Sequence, residues 1–74
     1  MPVSAVHVQY GDGSAASGVR VVLEFSTGLT KAVHTDRRGE ATVDHSSTGK
    51  AKVYVSGKSY HSFHAPGRTA VTIS

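Results

Sequence analysis

The sequence predicts an all-β domain of the sandwich type, and three observations carry that expectation. The first is composition. Eleven valines, seven threonines and one isoleucine dominate the apolar and β-branched content. Such side chains are stiff at χ1 and suit a pleated, half-buried surface. The second is the scarcity of good helix formers: two leucines, two glutamates, one glutamine and one methionine. No stretch of about ten residues carries apolar residues at the helical spacing of roughly 3, 4 and 7. The third is punctuation. Glycines and small polar residues interrupt the chain every eight to ten residues, the rhythm of a sandwich or barrel.

The elements follow in order. The first strand runs from Val3 to Tyr10, with Val6, Val8 and Tyr10 on one face and Ala5, His7 and Gln9 on the other. The polar loop from Gly11 to Gly18 is too long for a tight hairpin, so strands one and two are expected in different sheets or offset. The second strand, Val19 to Ser26, alternates most cleanly. Val19, Val21, Leu23 and Phe25 point inward, and Arg20, Val22, Glu24 and Ser26 point outward. After Thr27-Gly28 the third strand covers Leu29 to Thr35, with Leu29 and Val33 inside. In Thr35-Asp36-Arg37-Arg38-Gly39-Glu40 the Asp36 carboxylate caps a turn that Gly39 closes with a positive φ. The fourth strand, Glu40 to His45, puts Ala41 and Val43 inside. The fifth, Ala51 to Ser56, puts Val53 and Val55 inside and Lys52 and Tyr54 outside. Gly57-Lys58 turns the chain into a sixth strand, Ser59 to Ala65, which Pro66-Gly67 ends. Thr69 to Ile73 is the seventh. Val21, Leu23, Val43, Val53 and Val55 form the expected core.

Seventy-four residues make one domain, 1–74. A domain of this size buries about 60% of its unfolded surface, and its core supplies roughly 3–5 kcal/mol of net stability. There is no cysteine to add a disulfide, a composition that fits a reducing compartment. No apolar run approaches the roughly 20 residues of a membrane-spanning helix. The opening Met1-Pro2-Val3-Ser4 lacks the basic and leucine-rich segments of a signal peptide. If Met1 is the native start, the expected location is the cytoplasm. The formal charge is +3, with eight cationic side chains spread over strands and turns. That is far from the dense patch of a nucleic-acid binder.

The segments Gly18-Val19-Arg20-Val21-Val22-Leu23, Thr35-Asp36-Arg37-Arg38-Gly39-Glu40-Ala41 and Gly49-Lys50-Ala51-Lys52-Val53-Tyr54-Val55 together resemble the carboxypeptidase regulatory-like domains. These belong to the transthyretin-like, or prealbumin-like, group. The resemblance covers roughly residues 3 to 60 and lies in structural motifs. It implies a small Greek-key β-sandwich of about seven strands, immunoglobulin/transthyretin-like, and an accessory or adhesive role. Two chemical branches of the group can be compared. Domains with internal isopeptide bonds join lysine to asparagine or aspartate; this chain has no asparagine and no lysine in its first strand. Hydroxyisourate hydrolases carry an early-strand histidine, an arginine after the hairpin glycine and a Tyr-Arg-Gly-Ser tail. Val6-His7-Val8 resembles the first feature, but Glu40 follows Gly39 and the sequence closes on Thr72-Ile73-Ser74.

Five histidines are many for this length. All five are expected at the surface, with His7 and His34 on outward faces where they could meet across strands. His61 and His64 are three apart, which on a strand sends them to opposite faces, and zinc needs three or four ligands. No metal, cofactor or catalytic residue is assigned. Asp12, in Gly11-Asp12-Gly13-Ser14, is one carboxylate in a solvated turn, too few for calcium. The leading expectation is therefore a non-catalytic binding or assembly module. Its contact face is Arg20, Val22 and Glu24 with His34, Lys52 and Tyr54, Val22 being an exposed apolar residue between two charges. The partner is another protein or a second copy joined through an edge strand, with no membrane and no nucleic acid. The uncharged first strand and the sixth strand are the expected edges. Histidine protonation below about pH 6 should weaken self-association. A small hydrolase using His7 and a weak nucleic-acid binder using Tyr54 are the alternatives.

Overall fold

The valine alternation resolves into two β-sheets whose inner faces share one core. The computed structural model describes residues 2–73; Met1 and Ser74, on which the readings of the chain's start and close partly rest, lie outside the described residues. Among the described residues there are eight strands: β1 Val3–Tyr10, β2 Arg20–Phe25, β3 Gly28–Leu29, β4 Val33–His34, β5 Glu40–Asp44, β6 Gly49–Val55, β7 Lys58–Ala65 and β8 Arg68–Ile73. Sheet A has the order β5-β1-β8, and sheet B the order β3-β2-β6-β7 with β4 also on β2. β1 runs antiparallel to β5 and parallel to β8. Every pairing within sheet B is antiparallel. Among the described residues no helix is long and apolar enough to cross a membrane.

The long loop after β1 does what its length predicts, carrying the chain from sheet A to sheet B. All five expected core residues are buried, none more than 1% exposed. Val6, Val8, Phe25, Ala41 and Val71 join them, so both sheets contribute. Ala16, from the loop, is also fully buried. It is tied down by its N–H donating to the Val8 carbonyl at 3.0 Å and by its own carbonyl, which accepts from the Thr35 hydroxyl.

Four expectations about the strands need correction. The third strand is two short pieces, which makes eight strands instead of seven. Its cause is the tight turn at Ser26-Thr27. Phe25 pairs with Gly28 and Glu24 with Leu29, and continued pairing would set Val21 against Ala32. Val21 instead faces Val33, so one extra residue is accommodated between Thr30 and Ala32 and the ladder breaks. The same turn places Leu29 opposite outward-facing Glu24, so Leu29 is 67% exposed instead of buried. Tyr10 is 41% exposed, because β1 ends there and the chain turns away, with the Tyr10 carbonyl accepting from the Gly13 N–H. Finally, β1 is not an edge. It is the middle strand of sheet A, and its lack of charge is that of an interior strand. β7, the expected sixth strand, does lie at an edge of sheet B.

The Thr35-to-Gly39 segment has a physical task for each key residue. Thr35 is buried, and its hydroxyl also accepts from the Val19 N–H at 3.0 Å, fastening the loop to the start of sheet B. The Asp36 carboxylate accepts from the Arg38 N–H at 2.8 Å and the Glu40 N–H at 3.0 Å. Those two bonds, the Glu40 one first, hold the Asp36 carboxyl below its ordinary value of 3.8. A folded value below the unfolded one stabilises the fold above about pH 3.8. That contribution is lost as pH falls through the depressed folded value. Asp36→Ala should therefore melt below the wild type at neutral pH, and the gap should narrow as pH drops below 3.8. Thermal melts from pH 7 to pH 2 check this. A gap that stays constant over that range would show that the carboxylate does not close the turn.

Candidate functional site

Strand pairing alone decides which outward side chains meet on sheet B. Directly opposed residues in an antiparallel pair share a face, as do residues two apart on one strand. Arg20 stands opposite His34, Val22 opposite Tyr54, and Glu24 opposite Lys52. The six residues expected to form a contact face therefore lie on one surface, the outer face of sheet B. Arg20, Glu24, His34 and Lys52 are exposed and Tyr54 is half-buried. Val22 departs from expectation: it is 6% exposed, so it is not an accessible rim residue. Its cross-strand neighbour Tyr54 lies over the same face, and the Tyr54 hydroxyl donates to Glu24 Oε1 at 3.2 Å. Loss of solvent, then that hydrogen bond and the carboxylate's charge, raise the Tyr54 phenol above its ordinary value of 10. It thus remains a neutral donor at physiological pH.

The pairing adds four residues. Lys50 stands opposite His64, and Ser62 opposite Lys52. Leu29 stands opposite Glu24. Lys50 could have been found from the sequence, since it shares strand phase with Lys52 and Tyr54. Leu29 could not, because its phase depends on the length of the Ser26-Thr27 turn. No ion pair among the described residues engages Arg20, Lys50 or Lys52.

The outer face of sheet A differs. His7 Nδ1 lies 2.8 Å from Glu40 Oε2, and Arg68 Nη2 donates to Glu40 Oε1 at 2.7 Å. Both carboxylate oxygens are thereby engaged. Arg38 lines the same shallow cleft. His7 sits on sheet A and His34 on sheet B, so these two cannot meet across strands as the sequence suggested. No hydroxyl among the described residues hydrogen-bonds to His7, whose Nδ1 is on Glu40.

His45 is the other correction. It is 4% exposed instead of at the surface, with its ring 5.0 Å from that of Phe25. Its Nδ1 lies 2.6 Å from the Ser47 carbonyl, which can only accept. Nδ1 therefore carries the proton, and Nε2 accepts from the Ser4 hydroxyl at 2.7 Å. The Gly67 N–H in turn donates to Ser4 Oγ at 3.3 Å. A serine hydroxyl on a histidine nitrogen is the geometry of a nucleophile and its base. Here Ser4 is 1% exposed. A substrate carbonyl has no path to it, and the three groups instead satisfy one another where the close of β5 meets β1. Among the described residues no group of three histidine or acidic side chains could hold a metal. His61 and His64 stay apart, His61 Nε2 lying 2.6 Å from Thr69 Oγ1. Asp12 accepts from the Ser14 N–H and hydroxyl, a closed turn of its own.

Compared with models of known protein families and with curated protein sequences, the chain matches none.

Proposed function

We propose that this domain is a non-catalytic protein-binding module that engages its partner through the outer face of sheet B. The observation that carries the reading is the alignment of Arg20, His34, Tyr54, Glu24 and Lys52 on that one face, where Arg20, Lys50 and Lys52 have no carboxylate partner among the described residues. The sealing of the Ser4-His45 pair from solvent supports the same reading. For the fold, we propose the Greek-key arrangement of the immunoglobulin and transthyretin-like domains. The parallel pairing of β1 with β8 and the repeated crossing between sheets support it. So do the structural tasks of Thr35, Asp36 and Gly39 within the motif that resembles the carboxypeptidase regulatory-like domains. The free edge at β7 offers a second copy a place to pair.

A photo-crosslinking residue in place of Tyr54, with a second version carrying it in place of exposed Thr72 on sheet A, tests this in the cells that make the protein. Protein adducts should form from position 54 and not from 72. Their mass separates a second copy from another protein. Adducts at neither position, or from 72 alone, would overturn the reading.

A further inference from the structure

The two outer faces differ in how their charge is balanced. On sheet A the carboxylate of Glu40 is bonded by both His7 and Arg68. On sheet B, Arg20, Lys50 and Lys52 have no carboxylate partner among the described residues, and the one acid on the face, Glu24, is bonded by the Tyr54 hydroxyl. We infer that this face takes an acidic, extended polypeptide segment of another protein. The inference rests on the reading of the face as the contact surface.

The layout of the charges sets the length and pattern of the ligand. The Ser56 N–H donates to the Arg20 carbonyl, so Arg20 lies level with Ser56 on the neighbouring strand. Lys50 is six residues further along that strand, roughly 20 Å at about 3.3 Å per residue. One end of the face is Arg20 with His34; the other is Lys50 with His64. Between them lie Val22 and Tyr54, then Glu24 beside Lys52, with exposed Leu29 on the flank. An extended segment of about six residues spans that distance. Carboxylates at its two ends would meet the cationic ends of the face. An apolar side chain in its middle would lie over Tyr54 and Val22, one row before Glu24.

A nucleic acid fits this layout less well. A single strand needs aromatic rings on which successive bases stack. The rings of this face are Tyr54, half-buried with its hydroxyl engaged, and the imidazoles of His34 and His64 at its opposite ends, too far apart for successive bases. A continuous line of phosphates would also have to pass the Glu24 carboxylate, whereas a peptide can leave its centre neutral.

The test is fluorescence anisotropy with the whole domain and a labelled peptide, Glu-Glu-Ser-Leu-Ser-Glu-Glu, at low salt. A lysine-for-glutamate version of the peptide and an eight-nucleotide oligothymidylate serve as comparisons. The acidic peptide should bind and the basic one should not. Arg20→Glu with Lys50→Glu should weaken binding by about tenfold or more. Arg37→Glu with Arg38→Glu, the same charge change in the turn before β5, where Arg38 lines the cleft of sheet A, should cost less than about threefold. Equal losses in the two double variants would mean that only net charge matters, and would overturn the inference. Tighter binding of oligothymidylate than of the peptide would overturn it in favour of nucleic acid. Absence of peptide binding would do so as well. Should adducts still form from position 54 in that last case, the contact face stands and only its acidic partner falls.

Discussion

Leu23→Ala should cost roughly 2–5 kcal/mol, close to the whole net stability expected of a domain this small. Leu23 is the largest side chain buried completely, at 0% exposure. It lies in the middle of β2 opposite Val53, within a core made largely of valine. Valines are branched at Cβ and hold one rotamer strongly, so they cannot swing into the space that a lost isobutyl group would leave. Nor can the backbone easily settle. The Leu23 N–H donates to the Thr30 hydroxyl at 3.0 Å, and its carbonyl accepts from the Thr30 N–H at 2.9 Å. The cavity should therefore stay open and its full cost should appear. Two companions calibrate the result. Leu29→Ala removes the same atoms from a side chain 67% exposed and should fall within about 0.5 kcal/mol of the wild type. Val22→Ala removes fewer atoms and should cost less than Leu23→Ala. Urea midpoints measure all three. A loss at Leu29 larger than that at Leu23 would mean that the β2–β3 register, and with it the place of Leu29 on the outer face, is wrong.

Leu23 was legible from the sequence because six alternating residues on β2 leave only one inward phase. The same argument placed Val43, Val53 and Val55. It also set Arg20, Val22 and Glu24 on one face of β2 and Lys52 and Tyr54 on one face of β6; that the two strands share that face rested on an assumed pairing, which the β2–β6 register supplies. It fails where alternation is short or interrupted. Leu29 and Val33 are four apart and therefore share a phase on paper. A two-residue turn and one extra residue at Thr30–Ala32 separate them in space. Burial of an outward residue was invisible as well. Val22 is on the expected face, but its exposure depends on side chains from a neighbouring strand, and strand order is not written in periodicity. His45 shows the converse. A histidine at a strand end reads as a surface group. It is buried because Ser4 and the Ser47 carbonyl, one of them 41 positions away, satisfy both ring nitrogens. The edge reading of β1 failed for a related reason. An uncharged strand is equally an unprotected edge and a well-buried middle, and only the partners on its two sides decide which.

Gly39→Ala should be nearly as damaging, through backbone instead of cavity. Gly39 has φ of +78°, a conformation that costs an alanine about 1 kcal/mol. Its surroundings add a second penalty. A Cβ there would press into the Val8 carbonyl oxygen and come within 3.2 Å of the Ala16 nitrogen. That oxygen is not free to move. It accepts the Ala16 N–H at 3.0 Å, while the Val8 N–H donates to the Gly39 carbonyl at 2.7 Å. Relieving the clash would separate β1 from the hairpin or expel Ala16, which is buried in the core. Forced overpacking of this kind costs about 1–3 kcal/mol, so the two penalties together should reach about 2–4 kcal/mol. Gly57→Ala isolates the first of them. Gly57 has φ of +82° in the Ser56-Gly57 turn between β6 and β7, yet a Cβ there would meet nothing within 4 Å. It should therefore cost only the conformational part, about 1 kcal/mol. Denaturant titrations of both variants give the difference directly. A substantially larger loss at Gly39 locates the extra cost in the close approach of Val8. Equal losses would show that β1 yields to the added methyl, and that positive φ alone accounts for the glycine in this hairpin.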